Sequence, residues 1–273
     1  ITKQHLDAHL PIPGNKIVTS GWFKKYETLH RFFQFAMGRG YMRHRVLPDL
    51  LPEKPPAFVP YIYSLDNVRS LLGVPDNHYS PLSPLAPSTM RVFLIFLYGT
   101  GLRLGEAVKL KVHDVDLGAA LVTVRDTKFF KCRLVPIGDD LVKILQQYWT
   151  WRPSSESCDP DTPFFRTRRG NTVRHYHADH QFQWLRMEAG VLRFDNARFQ
   201  PRLHDFRHTF AVTRLTSWYR EGKDVQRLLP HLSTYLGHVS IEETATYLRM
   251  TAELLGEASS RFELYSLGEG HHA

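Results

Sequence analysis

The sequence predicts a mainly α-helical protein that carries one small antiparallel sheet and is divided into two domains. Apolar residues recur at helical spacing along most of the 273 residues. The stretch 121–137 departs from this pattern and holds two β-branched runs, which predicts a hairpin. A proline-rich stretch, 51–60, separates a basic N-terminal part from the remainder and predicts a boundary between a domain at 1–58 and another at 61–273.

The domain 1–58 is predicted to contain one long helix, from Gly21 to Met37, with Ser20 as its N-cap. Its apolar side chains step by three or four residues and share one face, which we expect to be core: Trp22, Tyr26, Leu29, Phe33 and Met37. Cations lie off that face or follow the helix: Lys24, Lys25, Arg31, Arg43 and Arg45.

The charge of the chain is concentrated at this end. Residues 1–60 contain nine Lys and Arg against four Asp and Glu, within a whole-chain net charge of +8. This excess predicts a polyanionic partner, although a solvated basic surface without a partner fits the same charge. The longest apolar run, Val92–Tyr98, is far shorter than the ~20 residues of a membrane span, so no membrane association is predicted. Cys132 and Cys158 provide no disulfide framework, which favours a reducing, cytoplasmic setting.

The domain 61–273 is predicted to be helical on both sides of its hairpin. Ser64 is the expected N-cap of the first helix, Ser88 or Thr89 of the second, and Asp139 or Asp140 of the helix after the hairpin. The strands are predicted at 121–124 and 133–137, and the helices over 64–72, from 88 or 89 to 99, and over 102–110, 139–151, 173–190, 204–221, 225–236, 241–250 and 252–265.

Three short stretches combine cations, histidines and a tyrosine where a structural helix needs none. In Gly99-Thr100-Gly101-Leu102-Arg103-Leu104-Gly105-Glu106, two glycines allow a tight turn that presents Arg103, and Glu106 lies within reach of its guanidinium. In His204-Asp205-Phe206-Arg207-His208-Thr209, the first histidine and the arginine share one helical face. In the third stretch, Leu236-Gly237-His238 is followed nine residues later by Tyr247.

Together, in this order and spacing, these stretches resemble the tyrosine recombinase, or phage integrase, family over residues 61–265. The family pattern is Gly-Thr-Gly-Leu-Arg-x-x-Glu, a Lys on a β-hairpin, His-x-Leu-Arg-His-Thr/Ser, Leu-Gly-His, and a Tyr nine residues later. The resemblance implies an integrase-type clamp, with a helical core-binding domain at 1–58 and a catalytic domain at 61–273. Since such a core-binding domain normally begins with another helix, and this chain begins at Ile1, we expect 1–58 to be truncated at its N-terminus.

The resemblance further implies site-specific DNA recombination through a covalent 3′-phosphotyrosine intermediate. It assigns Tyr247 as nucleophile, Arg103, Arg207 and His238 as a phosphate cradle, and His204 as general base. These residue types suit the chemistry, because a phenol keeps the phosphate on the protein and planar guanidinium groups match oxygens on which charge develops. The sequence shows no acidic cluster for Mg²⁺, and the intermediate conserves bond energy, so we expect no metal ion, no ATP and no other cofactor.

The general acid of the family is a hairpin lysine, for which this sequence offers two candidates. Thr127-Lys128-Phe129-Phe130-Lys131-Cys132-Arg133-Leu134-Val135-Pro136 stands where the family has Gly-Lys-Gly-x-Lys-x-Arg-x-Val-Pro. Counting back from Arg133 places Lys128 in the catalytic position, and Lys131 is the alternative. The family glycines are replaced by Thr127 and Phe129, which predicts a stiffer turn.

The partner implied by the resemblance is double-stranded DNA, bound by a homo-tetramer on two recombination sites, with the five N-terminal cations as DNA contacts. A type IB topoisomerase shares this chemistry, and a non-catalytic DNA-binding protein could share the fold. The Gly-Thr-Gly-Leu-Arg and Leu-Gly-His signatures favour the recombinase over the first alternative, and the presence of all six catalytic residues disfavours the second. His208 is predicted to be structural, and His175, His177 and His180 lack the partners of a metal site.

Overall fold

The chain separates into two compact units, Ile1–Phe58 and Val59–Ala273. The structure is a computed structural model that describes residues 10, 18–44, 47, 51–55, 58–80, 82–125, 132–152, 159–195, 197–249 and 254–259. Arg45, Lys128, Lys131 and Cys158 lie outside these described residues. None of the described helices is long and apolar enough to cross a membrane.

The N-terminal unit is built on helix α1, Ser20–Gly38. Thr19, rather than the predicted Ser20, is the N-cap, because its backbone is extended and its hydroxyl accepts a hydrogen bond from the Trp22 N–H at 3.2 Å. Trp22, Tyr26 and Phe33 are buried as predicted, but the next buried residue of the helix is Ala36 and not Met37. Met37 is therefore 41 % exposed, which corrects its assignment to the core.

The C-terminal unit begins with helix α2, Leu65–Gly73, and helix α3, Pro87–Thr100. Ser64 caps α2 as predicted, in a reciprocal pair of hydrogen bonds with Asn67. Helix α3 starts earlier than predicted, because Pro87 takes its first position, where the missing N–H of proline costs nothing.

Helix α4 spans only Leu104–Ala107, shorter than the predicted 102–110. Arg103 is its N-cap and has an extended backbone, so the helix cannot begin earlier. Beyond its end, the carbonyl of Leu110 accepts a hydrogen bond from the Phe164 N–H at 2.8 Å, which draws the chain into a loop contact instead of another helical turn.

The sheet consists of three antiparallel strands in the order β1, Val115–Asp116, β2, Leu121–Val124, and β3, Arg133–Pro136. The β2–β3 hairpin confirms the prediction, and Val122 pairs with Val135 on its buried face. Strand β1 was not predicted, because two residues are too few to show an alternating pattern.

Five further helices of the C-terminal unit follow the sheet. They are α5, Asp139–Trp151; α6, His175–Glu188; α7, Asp205–Arg220; α8, Val225–Leu236; and α9, Ile241–Ala245. Gly138 precedes α5 as its N-cap, so Asp139 and Asp140 lie in the first turn, where carboxylates favour the helix dipole, and do not cap it as predicted. A 3₁₀ turn, Thr246–Arg249, follows α9 and divides the single helix predicted over 241–250. Residues 254–259 are helical, within the segment predicted at 252–265.

Helix α7 belongs to both apolar cores of this unit. Phe206, in its first turn, packs in the larger core with α2, α3, the sheet, α5 and α6. Phe210 and Leu215 pack in a second core with α8 and Tyr247. Thr209 ties α7 to the chain before α2, since its hydroxyl accepts a hydrogen bond from the Tyr63 N–H at 2.9 Å. The predicted site stretch 204–209 therefore lies where the two cores join.

Candidate active site

Three arginines meet at the C-terminal end of helix α8. The last carbonyls of a helix have no partner within it and form the negative end of its dipole, so they can bind cations. Each of three successive carbonyls accepts a hydrogen bond: Tyr235 from Arg133 Nε (2.9 Å), Leu236 from Arg207 Nη2 (2.8 Å), and Gly237 from Arg103 Nη2 (3.0 Å). The helix end thus holds guanidinium groups from three distant parts of the chain in one place.

Gly237 is needed at this helix end for two reasons. Its φ of +69° lies in the left-handed region, and a Cβ there would lie 2.7 Å from Nη1 of Arg133. The left-handed turn lets the His238 N–H donate back to the Ser233 carbonyl at 3.0 Å and turns His238 out of the helix. The Leu-Gly-His stretch therefore places a histidine beside the arginines.

Glu106 lies between two of the three arginines and compensates their charge. Its Oε1 accepts from Arg103 Nη1 at 3.0 Å, and its two oxygens accept from Nη1 and Nη2 of Arg133 at 3.1 and 2.8 Å. Burial acts to raise the pKa of Glu106, but the hydrogen bond and charge of Arg133, followed by those of Arg103, lower it overall. The carboxylate is ionised and links both guanidinium groups.

Arg133 is a site residue that the sequence analysis missed. It served there only to align the hairpin, yet it contacts Glu106 and the end of α8. The available signal was its place in the Arg-x-Val-Pro stretch, which put a cation at the start of β3.

Arg207 is 2 % exposed and is held from two sides. Besides its bond to α8, its Nη1 donates to the Gly101 carbonyl at 3.0 Å. Gly101 has φ +61°, and a Cβ there would lie 2.6 Å from Cδ1 of Phe210, one turn of α7 beyond Arg207. Burial, with the nearby charge of Arg103, lowers the pKa of Arg207 to about 10, so it remains charged at neutral pH.

Tyr247 lies beside this cluster, in the 3₁₀ turn after α9, and is 3 % exposed. Its ring centroid is 5.9 Å from that of His238, nearly parallel at 24°, and 5.5 Å from that of His208. Burial raises the pKa of Tyr247, while the charge of Arg207 and a side-chain hydrogen bond to it oppose that rise. The phenol is therefore protonated at neutral pH.

Three histidines around Tyr247 are held neutral. Burial, with the charge of Arg207, lowers the pKa of His204 to about 4 and that of His238 to about 3. Burial, with the neighbouring His204 ring, lowers the pKa of His208 to about 3. A neutral imidazole offers one N–H donor and one acceptor nitrogen, so each ring can donate one hydrogen bond and accept another.

These side chains surround a cavity of about 350 Å³. Five of the six predicted catalytic residues line it: Arg103, His204, Arg207, His238 and Tyr247. His208 lines it too, although the sequence analysis placed it outside the site. Glu243 also lines the cavity, so two arginines face one acidic residue there. With the neutral histidines, this leaves an excess of positive charge, which suits a singly charged anion with a phenol at its side.

A larger cleft of about 1210 Å³ shares Arg103, His204, His238 and Glu243 with this cavity. Arg125, after β2, and Cys132, before β3, also line it, so both ends of the described hairpin border the cleft. The predicted general acid Lys128 belongs to the stretch between them that lies outside the described residues.

The other predicted cations and histidines are placed as follows. Lys24, Lys25, Arg31 and Arg43 are exposed on the N-terminal unit, with Arg31 paired to Glu27. His175 pairs with Asp179 at 2.8 Å, and no group of three or more potential metal ligands occurs within the described ranges.

Proteins with similar sequences or structures include several recombinases. The model of the phage integrase family matches residues 64–253. The protein y4rB of Sinorhizobium fredii, named as an integrase/recombinase, is 39 % identical over 78 % of this chain and 69 % of its own. Tyrosine recombinase XerA of Thermococcus kodakarensis is 29 % identical over 83 % of this chain and 72 % of its own. The fold matches that of the Tn1549 transposon integrase, whose structure was solved with transposon end DNA, at a TM-score of 0.63. The two sequences are 16 % identical, and the match covers 97 % of this chain and 86 % of that one.

Proposed function

The chain belongs to the phage integrase family and is a tyrosine site-specific recombinase, and we propose that its 350 Å³ cavity binds the DNA phosphodiester that is cleaved. The observation that supports this most directly is the convergence of Arg103, Arg207, His204 and His238 around the Tyr247 phenol. These residues come from α4, α7, α8 and α9 or their ends, and a structural role would not require them to share one cavity.

In the proposed reaction, the Tyr247 oxygen attacks phosphorus and the bond from phosphorus to the 5′-oxygen breaks. His204, whose lowered pKa leaves it neutral, accepts the phenol proton. The phosphate remains on Tyr247 as a 3′-phosphotyrosine, and a 5′-hydroxyl from a second duplex attacks it in the reverse of the same step. No bond energy is lost to water, so no ATP is required.

The arginines carry the electrostatic part of the proposal. In the transition state, negative charge grows on the two non-bridging oxygens, and preorganised donors stabilise that charge. Because Arg103 and Arg207 are already fixed by the carbonyls of α8 and of Gly101, their remaining N–H groups need no reorganisation when the phosphate arrives. His238 completes this cradle.

The general acid is proposed to be Lys128, by its position in the hairpin sequence. It would protonate the departing 5′-oxygen. An alkoxide needs this proton to leave readily, whereas a phenoxide-like leaving group would not. Lys131 is the alternative that the sequence leaves open.

We propose that residues 1–58 form a core-binding domain and 61–273 the catalytic domain, and that each of them binds DNA. Lys24, Lys25, Arg31, Arg43 and Arg45 are its proposed phosphate contacts. Four copies assembled on two recombination sites, in the cytoplasm, would supply the strands for exchange.

A nicked suicide substrate tests the nucleophile, because loss of a short 5′-ended fragment traps the covalent adduct. Tyr247→Phe should abolish that adduct, seen as a shifted protein band after denaturation, while the dissociation constant for DNA changes less than about twofold, since one buried hydroxyl is removed. Tyr219→Phe, a half-buried tyrosine on α7 away from the cavity, is the matched control and should form adduct normally. An adduct that persists in Tyr247→Phe would contradict the assignment.

A further inference from the structure

The side chain of Thr244 connects helix α9 to the histidine that follows α8. Thr244 is fully buried, and its Oγ1 lies 2.6 Å from Nδ1 of His238. His238 in turn lines the cavity beside Arg103, Arg207 and Tyr247. A residue that does not line the cavity therefore contacts one that does.

The hydroxyl of Thr244 does not bond as other helical threonines of this chain do. Thr100, Thr209 and Thr234 each donate to the carbonyl four residues earlier. For Thr244 that carbonyl belongs to Ser240, and it accepts from the Ser233 hydroxyl instead. Throughout the part of the chain that the structure describes, Nδ1 of His238 is the one hydrogen-bond partner of the Thr244 hydroxyl.

This arrangement decides the direction of the hydrogen bond. A buried O–H that donates to nothing loses the hydrogen bond it made with water, which is unfavourable. The Thr244 O–H must therefore donate, and Nδ1 of His238 must accept. A neutral imidazole that accepts at Nδ1 carries its proton on Nε2. The lowered pKa of His238, caused by burial and by the charge of Arg207 and Arg103, is consistent with the neutral ring.

We propose that Thr244 is a positioning residue that holds His238 in the tautomer with its proton on Nε2, so that the ring presents an N–H donor to a phosphate oxygen. The opposite tautomer would present a lone pair to the anion and would repel it. The hydrogen bond also fixes the ring plane against Tyr247, 5.9 Å away at 24°. The proposal rests on the proposed function, because it assumes that the cavity receives a phosphate.

Thr244→Val tests the proposal, since valine keeps the shape and removes the hydroxyl. Single-turnover cleavage of the nicked substrate should slow by tenfold or more, because the His238 ring loses its fixed plane and part of its population also loses the Nε2 donor. DNA affinity should stay within twofold, and Thr244→Ser should restore cleavage to within threefold of the original rate. If cleavage slowed as much in Thr244→Ser as in Thr244→Val, the proposal would be overturned.

A double-mutant cycle separates positioning from a general structural effect. In a His238→Ala background, Thr244→Val should cause no further loss of cleavage rate, because the group it positions is gone. A merely structural role would slow cleavage by the same factor in both backgrounds, which would contradict the proposal.

Nitrogen NMR of histidine labelled with ¹⁵N provides a direct readout of the tautomer. The His238 signals, identified by their loss in His238→Ala, should show a protonated Nε2 and an unprotonated Nδ1 in the unmodified protein, and a mixture in Thr244→Val. A protonated Nδ1 in the unmodified protein would refute the assignment. Since the adduct formed by the unmodified protein and its loss in Tyr247→Phe do not involve Thr244, failure here is distinguishable from failure of the proposed function.

Discussion

At the scale of single residues, the site depends on one carboxylate among several cations. The side chain of Glu106 is 12 % exposed and the side chain of Arg133 is 10 % exposed. Water therefore screens the attraction between the two charges only weakly. Arg207 adds a further buried charge nearby. Without Glu106, like charges would meet at the end of α8 with only carbonyls to stabilise them.

Glu106→Gln removes this charge and keeps the side-chain shape. We expect the free energy of unfolding to fall by about 1–3 kcal/mol, because two guanidinium groups lose a charged acceptor. Urea denaturation measures this, and cleavage of the nicked substrate should slow in parallel as Arg103 loses its fixed position. Glu27→Gln is the control, since its pair with Arg31 is exposed on both sides and should contribute below about 1 kcal/mol. If Glu106→Gln and Glu27→Gln lowered the free energy of unfolding equally, burial of Glu106 would be unimportant for its contribution to stability.

At the scale of elements, the end of helix α8 organises the site. Its three terminal carbonyls bind arginines that precede α4, begin β3 and lie in α7. The left-handed turn at Gly237 then directs His238 toward Tyr247. A change in this turn should therefore affect both stability and chemistry.

Gly237→Ala tests this helix end against a glycine of the same conformation. Gly222, after α7, has φ +70° and open space where a Cβ would be, whereas at Gly237, with φ +69°, the Cβ would lie 2.7 Å from Arg133. Gly222→Ala should cost about 1–2 kcal/mol of unfolding free energy, from the left-handed backbone alone. Gly237→Ala should cost more and should also slow cleavage, because Arg133 must move. Urea denaturation measures the loss of unfolding free energy, and single-turnover kinetics measure the cleavage rate. Equal losses of stability and equal cleavage rates in Gly222→Ala and Gly237→Ala would contradict this prediction.

At the scale of the whole molecule, charge is distributed unevenly. Most of the net +8 lies in residues 1–60, while the cations of the cavity are few and individually placed. Such a distribution suits two tasks: general attraction to a polyanion by the N-terminal unit, and stabilisation of one phosphate by the C-terminal unit.

The salt dependence of DNA binding tests this division. Replacing Lys24 and Lys25 together by Gln should weaken binding and lower the slope of log affinity against log salt by up to about 1.8, since each phosphate contact contributes about 0.9. Fluorescence anisotropy at several salt concentrations measures the slope. Lys143→Gln, an exposed lysine of α5 that is paired with Asp140, should leave the slope unchanged. A slope that is the same in both variants would exclude these two lysines as phosphate contacts.

Local patterns were sufficient to predict much of this protein. Helix α8 was predicted with its observed bounds, and the β2–β3 hairpin was predicted from its β-branched runs. Errors occurred where a neighbour outside the local pattern decides the outcome. Helix α4 is short because Leu110 bonds to Phe164, more than fifty residues later.

The amino-acid sequence was enough to identify which residue types are available to the site and the order in which they occur, because the glycine turns and cation spacings are local properties of the chain. The packing of the folded chain was needed to show that Arg133 shares a carboxylate with Arg103, and that the Thr244 hydroxyl contacts Nδ1 of His238. Those contacts join segments whose approach depends on how the two apolar cores pack around α7. Hydrogen-bond direction and pKa depend on burial and on neighbours in space, which no spacing along the chain specifies.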